Sequence, residues 1–182
     1  MEWKLLNVLE PVGITYVRMP WASQRFKDLY LSDEVNPILR YSYDEQLIVR
    51  SAYNITYTNY NPISRGDMPE GPFRIRSGIE LAGWLPRLAT TLGAGEKDED
   101  GREAFFKIPY SEYVKGDFDI APMYSFDDRR TIAAHFSLGV AIPYGNSDIL
   151  PFEKRYFGGG ANSVRGWSTR TLGPGTYSAD SA

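Results

Sequence analysis

Between Thr131 and Tyr144 every even position is apolar: Ile132, Ala134, Phe136, Leu138, Val140, Ile142 and Tyr144. The odd positions Thr131, Ala133, His135, Ser137, Gly139, Ala141 and Pro143 are small or polar, with His135 the largest. Unbroken period-two alternation is the mark of a strand with one apolar face. The run outlasts the five or six residues usual in a globular strand and exceeds the roughly 9–11 residues that cross a bilayer at a tilt.

Three earlier segments repeat the pattern. From Tyr41 to Tyr57 the apolar side carries Tyr41, Tyr43, Leu47, Val49, Tyr53, Ile55 and Tyr57, against Asp44, Gln46, Arg50, Asn54 and Thr56. From Phe73 to Leu85 it carries Phe73, Ile75, Ile79, Leu81 and Leu85, against Arg74, Arg76 and Glu80. From Ile108 to Tyr124 it carries Ile108, Tyr110, Val114, Phe118, Ile120 and Tyr124, against Lys115, Asp117 and Asp119. A fifth strand is predicted around Val12, Ile14 and Tyr16, although Glu10 and Pro11 interrupt its pattern. The predicted strands span 8–18, 41–58, 73–88, 106–124 and 130–145, followed by a loop over 146–182. Charges of both signs gather on the polar faces, which in a closed barrel would line a hydrated lumen. Between Pro20 and Asn36 the pattern shifts to Trp21, Phe26, Leu29 and Tyr30, with Leu29 and Tyr30 three and four residues after Phe26, and predicts a short amphipathic helix.

Composition narrows the choice. Aromatics make up 14% of the 182 residues, and mean hydropathy is −0.38. Both fit transmembrane strands with interfacial rings, and equally a soluble β-sandwich. No run of 18 apolar residues is present, so a transmembrane helix is excluded. The net charge of −3 supplies no basic field for nucleic acid. Without cysteine there are no disulfides or thiolate metal sites. Met1 is not followed by a basic stretch and an apolar core, so a chain bound for an outer membrane is expected to be an internal part of a longer protein.

The most distinctive chemistry lies in Arg155-Tyr156-Phe157-Gly158-Gly159-Gly160-Ala161-Asn162-Ser163-Val164-Arg165-Gly166-Trp167, continued by Thr169-Arg170-Thr171-Leu172-Gly173-Pro174-Gly175. Three glycines allow the loop to fold back on itself. Arg165, between apolar Val164 and Trp167, is expected to enter a partly buried site and to need an anion there. Neither a phosphate-binding loop nor a dinucleotide fingerprint fits, since no Gly-Lys-Ser/Thr follows and Ser163 stands where a glycine is required. The string, with Ile-Pro-Tyr-Gly-Asn-Ser and Leu-Pro-Phe-Glu-Lys before it, resembles the conserved loop of the bacterial outer-membrane barrel-assembly family that includes BamA and TamA, the bacterial surface antigen family. Its continuation is most similar to the Bacteroidetes branch.

This resemblance implies an all-β fold, a partial antiparallel transmembrane barrel of about four or five meandering strands from a 16-strand type. Phe157, Gly159, Gly160, Ser163, Val164, Arg165, Gly166 and Trp167 would form a long extracellular loop tucked into the lumen. Arg165 would hold it there by gripping an acidic residue on a late strand that follows in sequence. Trp167 stands where the family more often has phenylalanine or tyrosine. Counting back from an extracellular loop puts the charged connector 91–104 outside and the Asp127-Asp128 turn in the periplasm, with the long 61–72 connector on the periplasmic side too. The implied location is the bacterial outer membrane, with the lipid bilayer and client outer-membrane proteins as partners, together with assembly lipoproteins or periplasmic chaperones. The implied function is insertion or translocation of outer-membrane proteins without covalent chemistry, cofactor or metal. Two alternatives stay open: the barrel of a patatin-like phospholipase fusion, which an upstream Gly-x-Ser-x-Gly would reveal, and a pore dedicated to one secreted partner.

Other constellations read as structural. His135 is the only histidine and has no cysteine with which to share a metal. A triad of Ser137, His135 and an aspartate lacks a nucleophile elbow. Asp117 and Asp119 lie about 7 Å apart on one strand face, and with Lys115 beside them they predict an ion-pair ladder. Glu96 to Asp100 lacks the spacing and central glycine of a calcium loop.

Overall fold

The computed structural model describes residues 4–18, 21, 45–59, 71–97, 101–127, 129–161 and 163–169. They form two compact units, residues 1–152 and 153–182. The first unit is an antiparallel sheet. Its long strands are β1 (Lys4–Val17), β2 (Gln46–Thr58) and β3 (Phe73–Ala82). After β3 come a helix α1 (Trp84–Ala89) and a small separate sheet of β4 (Glu96–Lys97), β5 (Glu103–Phe105) and β6 (Ile108–Pro109). The long sheet resumes with β7 (Tyr113–Asp127), which turns back into β8 (Arg130–Ala133) and β9 (Phe136–Pro143). The pairing order β1-β2-β3-β7, with β8 and β9 together on the far side of β7, is an up-and-down meander. The sheet does not close on itself among the described residues: it is part of a barrel wall.

Cross-strand register sorts the two faces. Tyr57, Ile75, Ile120 and Phe136 stand in one row, and Leu81, Val114 and Ile142 in another. This outer face is exposed across the sheet, at Tyr53, Ile79, Phe118, Leu138 and Val140 among others. A continuous exposed apolar wall is what a lipid-facing surface requires and what a monomer in water avoids. The inner face carries the charges. The Arg50 guanidinium lies 2.8 Å from Glu10 and 3.3 Å from Glu80, and the Tyr113 hydroxyl donates to Glu80 at 2.5 Å. Asp119 pairs with His135 and lies 3.9 Å from Arg74.

The element boundaries depart from the sequence pattern in ways that local chemistry explains. Beyond Ala82 the expected strand to residue 88 gives way to α1, because Gly83 turns at φ +86° and Pro86 cannot donate to a ladder. The strand expected from 106 starts only at Tyr113, because Phe106 and Lys107 take positive φ in the turn that joins β5 to β6. The strand expected over 130–145 is split, although both halves share one register. Pro122 on β7 lacks the N–H that this neighbour would accept, and only the bond from Ala134 N to Pro122 O (3.0 Å) remains. In β1 the register shifts between Glu10 and Gly13, a bulge that accounts for the broken pattern at Pro11. The helix expected over 20–36, Tyr41, Tyr43 and most of the 61–72 connector lie outside the described residues.

Candidate functional site

The segment leaving β9, Tyr144-Gly145-Asn146-Ser147, is tied to the rim of the sheet by a dense set of hydrogen bonds. Tyr144 N donates to Glu112 O at 3.1 Å and its hydroxyl to Ala82 O at 2.9 Å. Asn146 N donates to the Glu112 carboxylate at 2.6 Å. The Asn146 amide donates to Glu103 O (2.7 Å) and Tyr110 O (2.9 Å) and accepts from Glu103 N (2.7 Å). Ser147 Oγ accepts from Glu112 N at 2.9 Å. Glu112 is only 2% exposed. A carboxylate buried to that degree must be compensated, and Arg87, 3.4 Å from its other oxygen, completes the set. Further along, Leu150 joins a small core with Ile48, Ala82 and Tyr113 on the inner face. The root of the motif loop is thereby held over the inner side of the wall.

Beside this anchor, burial and then the hydrogen bond to Glu103 (2.5 Å) push the Tyr110 hydroxyl up to about 12. The same bond holds the Glu103 carboxyl below its ordinary range. Tyr144 is likewise raised, by burial and then by the Glu112 carboxylate.

The second unit contains the motif. Gly159 and Gly160 take φ of +90° and +89°. A Cβ on Gly159 would stand 2.4 Å from Ser168 O, so the chain approaches its own return limb more closely than another residue allows. Gly160 N donates to Trp167 O at 2.8 Å, Ser163 N to Gly160 O at 3.1 Å, and Trp167 N to Val164 O at 3.1 Å. These bonds close a compact tip over Ala161–Gly166. Arg165 lies on that tip, and its Nε donates back to Ala161 O at 3.2 Å. Phe157, Val164 and Trp167 are each about half exposed, and Ser163, Arg165 and Gly166 are exposed as well. Among the described residues Arg165 has no carboxylate partner. Gly159 and Gly160 thus shape this turn, and Arg165 lies on it. Residues 170–182 lie outside the described residues.

His135 and Asp119 meet on the inner face with Arg74 near, so the aspartate belongs to an ion-pair row. Among the described residues no group of three or more His, Asp or Glu could hold a metal ion. Sequence reasoning missed Glu112, Arg87 and Asn146. A signal existed: Glu112 occupies an apolar-stripe position between Tyr110 and Val114, and a charge there marks either a break in the strand or a polar anchor.

The Omp85 superfamily domain matches residues 99–182. A stretch of 40 residues, 22% of this chain, is 45% identical to the outer membrane protein assembly factor BamA of Neisseria meningitidis serogroup B. That stretch spans 5% of the length of the curated relative. No solved structure matches.

Proposed function

Given that residues 99–182 place this chain in the Omp85 superfamily, among bacterial outer-membrane barrels of the BamA/TamA type, we propose that the protein inserts or translocates outer-membrane proteins, with the Arg165 loop as its working part. The observation that carries this reading is the anchored loop root. Glu112, Asn146 and Leu150 hold the segment before the motif over the inner face, and the motif then folds into a compact arginine-tipped hairpin. A guanidinium offers a planar fork of donors that grips a carboxylate in two places. The proposed partner is an acidic side chain on a late barrel strand, and the proposed clients are outer-membrane β-barrels. The barrel would work by perturbing its seam and the surrounding bilayer, with the loop stabilising the conformation that admits client strands. No covalent step is involved.

In the full-length protein, Arg165→Ala and Arg165→Lys should both raise protease sensitivity of the loop and lower the level of client barrels in the outer membrane. Lysine should not rescue, because it lacks the fork. Lys97→Ala, on an exposed strand, should leave both at the parental level. Parental values for both readouts in Arg165→Ala would overturn the role assigned to this residue.

A further inference from the structure

The rim that carries the loop root also carries an apolar stripe outside the wall. Trp84, Leu88 and Leu92 follow one another at four-residue intervals along α1 and its π-helical continuation Thr90–Ala94. Within α1 that spacing puts Trp84 and Leu88 on one side, and Leu92 follows in the π-helical turn, just before the chain leaves helical angles at Gly93 (φ 93°). They are 38%, 52% and 79% exposed, so exposure rises along the segment. Other positions of the same helix turn away from this stripe: Pro86 is buried, and Arg87 reaches Glu112. The stripe starts on the outer face. Trp84 Nε1 donates to Ser51 Oγ at 2.9 Å. Ser51 sits in register opposite Leu81 and on the same strand side as Tyr53 and Tyr57, within the apolar wall. α1 also packs against β2.

We propose that α1 and its continuation form a lipid anchor, lying in the boundary between acyl chains and headgroups at the loop-bearing rim. Continuity with the lipid-facing wall selects this occupant, since the stripe extends that wall without an intervening charge. Trp84 suits the position, with a large ring against apolar surface and its N–H satisfied by Ser51. Two leucines held out from a connector have no reason to face water, and a short helix with one apolar side is the element that seats itself in such a boundary. The inference rests on the outer-membrane placement of the wall and is independent of the assembly role.

These 182 residues have no cysteine, so, with any cysteine outside them replaced by serine, single nitroxide labels at Leu88→Cys, Leu92→Cys and, as an aqueous reference, Glu96→Cys can be compared. The sample is the full-length protein in vesicles of phosphatidylcholine and phosphatidylglycerol. At 88 and 92, collisions with oxygen should exceed those with a water-soluble nickel chelate severalfold, and at 96 the order should reverse. A nickel-dominated label at 92 would overturn the proposal. Protection from both reagents would also overturn it, because it would place protein over the stripe, a second copy if the protection grew with protein density. Should a cysteine variant fail to fold, brominated phosphatidylcholine offers a second measurement. It should quench the parent more than Trp84→Phe, and equal quenching would count against the anchor. Client assembly is not read in either experiment, so failure here leaves the Arg165 reading to its own test.

Discussion

At the scale of single residues, the loop root depends on groups that have no substitute. Gly145 has φ +58°, and a Cβ there would lie 1.9 Å from the Glu112 carboxylate, so alanine must break either the turn or the anchor. Glu112→Ala would strand the Asn146 N–H and the Arg87 guanidinium. Leaving buried partners unsatisfied costs about 1–3 kcal/mol, and the 56% exposure of the Arg87 side chain keeps the loss at the lower end of that range. Both variants should speed proteolysis within residues 144–151 of the folded full-length protein. Gly166→Ala, whose Cβ would meet nothing within 4 Å, should not. A Gly145→Ala protein as resistant as its parent would show that the root is held by other means. Arg165 was legible in the sequence as a lone cation among apolar and glycine neighbours. Glu112 was not, because its partners come from α1 (Arg87) and from the segment after β9 (Asn146 and Ser147), and they meet only in space.

At the scale of elements, the strand of β8 and β9 shows how far periodicity reaches. Its alternation identifies Leu138 as outward and Ser137 as inward, and the register sets Leu138 beside Phe118 and Ser137 beside Asp119. In the full-length barrel Leu138→Arg should therefore cost about 2–4 kcal/mol if the site lies near the bilayer midplane, and Ser137→Arg much less. Heat-modifiable folded barrel, measured by gel mobility, reports both. Equal losses would show that the facing is inverted. The ends of strands were less legible than their middles. Ladder interruptions at Pro122 and Gly83, and the positive-φ pair Phe106 and Lys107, act through single backbone groups that hydrophobic alternation does not register.

For the molecule as a whole, the described strands form a wall with two free edges, β1 on one side and β8 with β9 on the other. In hydrocarbon each unpaired backbone group costs several kcal/mol, and the smallest closed barrels need about eight strands. The 182-residue chain refolded alone in detergent should then give no discrete, heat-modifiable monomer with channel conductance. Native mass spectrometry together with planar-bilayer recording would check this, and a conducting monomer would refute it.

The facing of the long strands followed from the sequence alone, because side-chain alternation is local and each residue's contribution repeats every two positions. Which strands neighbour one another, the Arg50 bridge between Glu10 and Glu80, the Glu112 anchor and the placement of Trp84 on the outer face were decided only in the tertiary structure. Those contacts join residues far apart in the chain, and their energy exists only once the strands have paired in register.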